Sequence, residues 1–168
     1  MNVNLRSLIG RLNDTTRNAV ESAAGLCLSR THYDVELEHY LLKLLDSSDS
    51  DLALILRHYE VNRSRLATDL STSMDRLKSG NARTPSLSPS LVKMLSEAWT
   101  LGSLDFGAGQ IRSGHTILAL VASEELGRMI RGSTMSPRWS VARTSLPLID
   151  QGFSSLWFSV RSTRPIDS

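Results

Sequence analysis

Apolar residues recur three and four positions apart along most of the chain, which is the spacing of one face of an α-helix. The pattern at 35–45, Val-Glu-Leu-Glu-His-Tyr-Leu-Leu-Lys-Leu-Leu, returns 76 positions later at 111–121 as Ile-Arg-Ser-Gly-His-Thr-Ile-Leu-Ala-Leu-Val. His39 and His115 stand at the same place in the two copies. A core pattern that recurs once at long range indicates a duplicated supersecondary unit.

The helices on either side of this pattern repeat as well. The inward-facing residues of two predicted helices correspond at a shift of 75 positions. They are Thr16, Val20, Ala23 and Ala24 in the first helix and Leu91, Leu95, Ala98 and Trp99 in the second. At a shift of 74, a third pair matches: Leu52, Ile55 and Leu56 with Leu126, Met129 and Ile130. We therefore predict an all-α fold built from two pseudo-two-fold-related repeats of a small helical bundle.

Polar residues that favour helix N-caps precede most of the predicted helices. We expect the caps to be Asn4, Asn13 or Asp14, Ser50, Asn62, Ser88, Ser113 and Ser123. Pro89 strengthens the start at Ser88 because proline is favoured in the first turn. We also expect one helix to cover 63–78 and the glycine-bounded segment 102–109 to be a loop.

These elements divide the chain into five segments. We predict an extra amphipathic helix in 1–13, a first repeat in 14–78, a linker in 79–88, a second repeat in 89–132 and an atypical segment in 133–168. The last segment should hold the counterpart of the helix at 63–78, but Pro137 and Pro147 interrupt it and no helical stripe is present. We expect it to be poorly ordered.

The extra helix carries Leu5, Leu8, Ile9 and Leu12 on one face and is too short to be stable alone. It must dock on the body or swing loose from it. The helix after it bears an unusually small stripe, Thr16, Val20, Ala23 and Ala24, against which another helix could approach closely. Two interpretations stay open: a groove that seats an incoming amphipathic helix, or ordinary core.

The charge pattern separates the last quarter from the rest. The 168 residues carry a formal charge of +2, but residues 1–126 hold 13 Lys/Arg against 15 Asp/Glu, a net of −2, and residues 127–168 hold 6 Arg against 2 Asp, a net of +4. The near-neutral body argues against a nucleic-acid interface spread over the domain. An RNA-binding tail remains a minor alternative to a solvated one.

No run of 18 apolar residues occurs, and the first residues lack an apolar signal-peptide core. The single cysteine, Cys27, has no internal partner for a disulfide. We therefore expect a cytoplasmic protein without membrane insertion, in which Cys27 is a packed thiol rather than a nucleophile.

Catalytic and metal chemistry find little support. The sequence has no Gly-x-x-x-x-Gly-Lys-Ser/Thr loop for ATP, and no nucleophile, base and electrophile can be named together. His32, Glu36 and His39 would face one metal on a continuous helix, but a helix that begins near Glu36 leaves His32 in the loop. We predict no catalytic residues, no metal and no cofactor, and a shared structural role for His39 and His115.

The duplicated unit, with (Val/Ile)-x-x-x-His-x-(Leu/Ile)-Leu in each copy, resembles the Clp N-terminal domain of AAA+ disaggregases over about residues 4–132. The finer pattern is most similar to the N-domain of the ClpV family, the ATPases of type VI secretion systems. It is carried by Leu8-Ile9-Gly10-Arg11-Leu12-Asn13, Ala19-Val20-Glu21-x-Ala23-Ala24, Val35-Glu36-Leu37-x-His39, Asp49-Ser50-Asp51-Leu52 and Gly102-Ser103-Leu104-Asp105-Phe106-Gly107.

The resemblance implies a substrate-recognition domain of a hexameric ATPase that disassembles and recycles the contracted sheath. The implied partner is the N-terminal helix of the large sheath subunit, seated in a groove formed by the first helices. Carried onto this chain, the groove comprises Leu5, Leu8, Ile9, Leu12, Thr16, Arg17, Val20, Ala23 and Ala24. The alternative is an adaptor- or client-binding N-domain of a ClpB-like quality-control disaggregase.

Overall fold

The computed structural model describes residues 4–126, which lie within one compact unit. Along this range the helices are α1 (Leu5–Gly10), α2 (Asp14–Ser29), α3 (Leu37–Asp46), α4 (Asp51–His58), α5 (Arg63–Met74), α6 (Pro89–Phe106) and α7 (Ser113–Ala122). Two short strands, β1 (Asp34–Val35) and β2 (Ser86–Leu87), interrupt them, and helix resumes at 124–126. The predicted all-α fold is confirmed. The segment predicted at 133–168 lies outside the described residues.

The helices begin where the polar residues predicted. Five side chains each accept the backbone N–H three residues ahead: Asn4, Asn13, Ser50, Asn62 and Ser88. The Leu126 N–H donates to the Ser123 hydroxyl at 3.4 Å, so the helix start predicted there is also confirmed. The cap predicted at Ser113 is wrong by one residue, because Arg112 is the N-cap and the Ser113 hydroxyl instead bonds Asp51.

Two helix ends differ from prediction. α5 stops at Met74 rather than at residue 78, because the N–H groups of Arg76 and Leu77 bond carbonyls three residues back and tighten the chain into a turn. α6 continues through Gly102 as far as Phe106 and ends at Gly107, whose φ of 58° is left-handed. The loop predicted over 102–109 is therefore wrong for its first five residues.

The two halves meet at a pair of equivalent residues. The hydroxyl of Tyr40 on α3 lies 2.9 Å from the hydroxyl of Thr116 on α7, and both side chains are fully buried. They are 76 positions apart, which is the shift of the repeat. Equivalent residues touch each other only where a two-fold axis passes between them, so this contact lies at the pseudo-axis of the fold.

Short parallel pairings cross between the halves on both sides of that contact. Val35 in β1 pairs with Leu87 in β2, and Leu12 forms an isolated parallel bridge with Ile111. Leu12 and Leu87 are 75 positions apart, and Val35 and Ile111 are 76 apart, so the two pairings are the same contact made twice. In each half, the residue that precedes the first helix of the repeat (Leu12 before α2, Leu87 before α6) pairs with a residue in the loop of the other half.

Gly102 is required by packing within the second half. A Cβ at this position would lie 2.7 Å from Nδ1 of His115, closer than such atoms approach in real structures. The ring cannot retreat easily because it is fully buried and stacks on Phe106 at 5.8 Å between centroids. Gly102 therefore sits inside α6 to admit the His115 ring rather than to end the helix.

We expect Gly102→Ala to lower the free energy of unfolding by about 1–3 kcal/mol, the range for overpacking a core. Gly25→Ala is the matched control, since Gly25 lies on the exposed side of α2 and a Cβ there meets no atom within 4 Å. The control should gain about 0.5–1 kcal/mol of helix propensity. Urea unfolding of both variants measures the difference, and equal stabilities would contradict this packing.

Candidate functional site

The nine residues predicted to line a groove separate into two groups in the structure. Five belong to the core, with exposed fractions of 6% or less: Leu8, Leu12, Thr16, Val20 and Ala23. The other four keep accessible surface: Leu5, Ile9, Arg17 and Ala24. Only this second group, named here the α1–α2 surface, is open to contact from outside in the conformation described.

The extra helix α1 is docked on the body. Leu8 and Leu12 are buried, and the main neighbour of α1 is α6. Backbone hydrogen bonds fasten the end of the helix to the loop before α7: the Asn13 N–H donates to the Ile111 carbonyl at 3.0 Å, and the Ile111 N–H donates to the Arg11 carbonyl at 2.7 Å. The sequence left open whether α1 docks on the body or swings loose from it, and in the structure α1 is docked.

The two halves differ at one position that shapes the outer surface. Ala24 on α2 and Trp99 on α6 are 75 positions apart and occupy the same place in the repeat. The guanidinium of Arg11 lies 4.9 Å from the centroid of the Trp99 ring, so residues at the end of α1 lie over α6 at this place. On α2 the same place carries only a methyl group, which remains partly accessible.

Arg17 lies where α1 joins α2. Its side chain points back toward the helix start, as helical side chains do, and Nη2 donates to the Leu12 carbonyl at 3.3 Å. Its Nε atom is buried and has no hydrogen-bond acceptor within residues 4–126. A buried donor without an acceptor costs about 1–3 kcal/mol, so this guanidinium is held at a cost in folding free energy.

Two accessible residues beside this surface escaped the sequence analysis. Leu28 is 56% exposed, and Glu21 is also exposed. With Arg17 and Ala24 they follow one flank of α2 at intervals of three and four residues. The stripe of small residues lies mostly on the buried face of α2. The sequence signal for the accessible flank is Leu28, an apolar residue of α2 that falls outside that stripe.

The two equivalent histidines are structural, as predicted. The backbone N–H of Glu36 donates to Nδ1 of His39 at 3.0 Å, and the N–H of Arg112 donates to Nδ1 of His115 at 3.2 Å. Each ring thus satisfies the free N–H at the start of its helix. Burial lowers the pKa of both groups, that of His39 to about 4, so both rings are neutral at physiological pH.

His39 also contacts His32. Because Nδ1 of His39 accepts a hydrogen bond, the proton of the neutral ring lies on Nε2, which is 2.8 Å from Nδ1 of His32. The two rings therefore bond each other rather than a shared ion. Within residues 4–126 no group of three His, Cys, Asp or Glu side chains is arranged to hold a metal.

Cys27 is buried in the last turn of α2, where its thiol faces the loop that follows the helix. Its Sγ lies 3.2 Å from the carbonyl oxygen of Asp34, and burial raises the pKa of the thiol. A thiol with a raised pKa is a poor nucleophile, in agreement with the packed role predicted from the sequence. Among the described residues, no helix is long and apolar enough to cross a membrane.

Comparison with known proteins identifies the relatives of this arrangement. Residues 11–131 match the Clp repeat (R) N-terminal domain family. The AAA+ ATPase ClpV1 of Pseudomonas aeruginosa is 33% identical over 126 residues, which is 75% of this chain but only 14% of the length of that relative. The similarity is therefore to one domain of a much longer protein.

Two solved structures share the fold closely. One comes from work on the coevolution of the ATPase ClpV, the TssB-TssC sheath and the accessory HsiE protein in type VI secretion; it has a TM-score of 0.82 and 29% identity and covers 91% of this chain and 92% of its own. The other is a ClpV N-domain in complex with VipB peptide, with a TM-score of 0.68, 33% identity and 75% and 77% coverage.

The buried histidines make stability depend on pH. The folded-state pKa of His39 lies near 4, below the value of about 6.5 in an unfolded chain, so the unfolded chain takes up protons first as the pH falls. We expect the contribution of His39 to stability to decline between about pH 6.5 and pH 4, by about 1.4 kcal/mol per pH unit.

His39→Gln should flatten this decline, because glutamine at this helix position accepts the same backbone N–H but does not titrate. Asn18→Gln, at an exposed position on α2, introduces a glutamine without removing a titratable group; it is the control and should leave the pH dependence unchanged. Urea unfolding at about pH 7.5 and about pH 5 measures the slope for each variant. An identical slope in His39→Gln and the parent chain would contradict the interpretation.

Proposed function

Because the chain belongs to the Clp repeat N-terminal domain family, we propose that it is the substrate-recognition N-domain of a ClpV-like AAA+ ATPase. In this proposal ATP hydrolysis belongs to a hexameric ring of the parent protein in the cytoplasm, and this domain supplies binding. The main support is the similarity, at 33% identity, to a ClpV N-domain in complex with VipB peptide.

The proposed ligand is an amphipathic helix at the N-terminus of the large sheath subunit, recruited for sheath disassembly and recycling. The proposed seat is the α1–α2 surface, which combines apolar side chains on α1 with the small side chain of Ala24 on α2. A small residue lets the backbone of an incoming helix approach α2 closely. The buried residues Leu8, Leu12, Thr16, Val20 and Ala23 would support this surface from beneath rather than contact the ligand.

The expected affinity is moderate. Three or four anchors of an incoming helix contribute about 1.5–3 kcal/mol each when buried. Ordering a short peptide costs about 2–5 kcal/mol, and association itself costs more. These costs offset most of that gain, so we expect a readily reversible contact of moderate affinity, which suits one that forms and breaks repeatedly during sheath turnover.

We expect Ala24→Arg to weaken binding of the large sheath subunit's N-terminal peptide by about tenfold or more, because an arginine would occupy the space that the ligand helix needs. Ala67→Arg on α5, at another partly accessible alanine, is the matched control. Fluorescence anisotropy with labelled peptide gives the affinity, and circular dichroism confirms that both variants fold. An unchanged titration of Ala24→Arg would count against this surface.

Val20→Asp has a different expected outcome. Val20 is only 6% exposed, so a carboxylate there would lie in the core and lower the free energy of unfolding by several kcal/mol. Loss of peptide binding in this variant would therefore report unfolding, which distinguishes it from Ala24→Arg.

A pull-down with the wild-type chain separates the proposal from its alternative. Selective recovery of sheath subunits supports the proposed function. Recovery of diverse unfolded clients with no preference for sheath would instead favour a domain of a ClpB-like quality-control disaggregase.

A further inference from the structure

The flank of α2 that borders the α1–α2 surface carries one positive and one negative side chain, followed by two apolar ones. Arg17 lies in the second turn of α2, Glu21 one turn further on, and then Ala24 and Leu28 continue the flank as an apolar surface. Arginine and glutamate four residues apart commonly pair with each other on a helix. Here they do not, because the guanidinium of Arg17 is turned back to the Leu12 carbonyl.

The guanidinium of Arg17 has unused donor capacity. It carries five N–H donors. Among residues 4–126 its one hydrogen bond goes to Leu12, no carboxylate pairs with it, and its buried Nε lacks an acceptor. The other buried or half-buried arginines of this part of the chain have carboxylate partners, as Arg112 has in Asp51 and Arg30 has in Asp75.

From these observations, and resting on the function proposed above, we propose that Arg17 is a carboxylate-binding subsite that selects the partner helix. The ligand would carry one Asp or Glu opposite Arg17, adjoining the apolar residues that lie against Ala24 and Leu28. Because Nε is buried, the carboxylate would approach the two Nη groups, where a planar guanidinium can form two parallel hydrogen bonds that fix the position of the ligand as well as its charge.

The apolar contacts alone would allow the ligand helix to slide by a turn or to reverse its direction. The charges of Arg17 and Glu21 would favour one position and one direction of the ligand helix. Arg17 attracts its carboxylate, and Glu21 repels a carboxylate placed one turn too far along α2. Arg17 therefore acts on register and on the choice of helix, whereas Ala24 and Leu28 supply the apolar area. The chemistry of the expected ligand is an amphipathic helix with an acidic residue at one end of its apolar stripe.

A double-mutant cycle tests this with the full chain and the labelled N-terminal peptide of the large sheath subunit. Each Asp or Glu of the peptide is converted in turn to Asn or Gln, and each peptide is titrated into the wild type and into Arg17→Gln. We expect one conversion to weaken binding to the wild type about twofold to fivefold, whereas the same conversion should not change binding to Arg17→Gln. Arg65→Gln, exposed on α5, removes the same charge elsewhere and should leave every affinity unchanged.

The outcomes separate the two levels of the proposal. The carboxylate subsite is rejected if Arg17→Gln lowers the affinity for all peptides by the same factor, or if no Asp or Glu conversion changes the affinity for the wild type. The proposed binding function would still stand in either case. If the wild type binds no version of the peptide, the proposed function itself fails. Arg17→Lys distinguishes charge from geometry, since a lysine retains the charge but not the paired hydrogen bonds and should recover only part of the affinity.

Discussion

One buried polar contact joins the two halves of the fold at their pseudo-axis. The hydroxyls of Tyr40 and Thr116 have no access to water, so each must find its hydrogen-bond partner inside the protein. At 2.9 Å they satisfy each other, and Thr116 also donates to the Ser113 carbonyl at 2.7 Å. Because these residues are equivalent in the repeat, α3 and α7 approach each other there at corresponding positions. The two parallel pairings then follow on either side of the same pseudo-axis.

The two halves differ in an ion pair that occurs only once among the described residues, between Asp51 and Arg112. Asp51 at the start of α4 accepts two hydrogen bonds from the Arg112 guanidinium and another from the Gly114 N–H, which holds the first half against α7. The place equivalent to Arg112 in the first half is Glu36, so this ion pair cannot be made twice. A repeat that was identical in both halves would present the same surface twice, and a single ligand could not distinguish them.

The same asymmetry separates α2 from α6. Arg11 lies over Trp99 on α6, whereas the matching position on α2 carries the much smaller Ala24 beside Arg17; both positions are partly accessible. The two helices therefore present different surfaces, and the main neighbour of α1 is α6 of the second half. For a domain of the Clp N-terminal family, this directs the search for a ligand to α2.

The sequence by itself determined the helices, most of their caps and the duplication, because helical periodicity and capping are local and the repeat is visible at fixed shifts. It also determined that His39 and His115 share a role. Only the tertiary structure decided that five of the nine predicted groove residues are core, since burial depends on which helix packs against which. The same holds for Gly102, read locally as a loop signal although it is enclosed in a helix by the distant ring of His115. Arg17 and Leu28 became part of one accessible flank for the same reason: packing against α3 removes the opposite face of α2 from water.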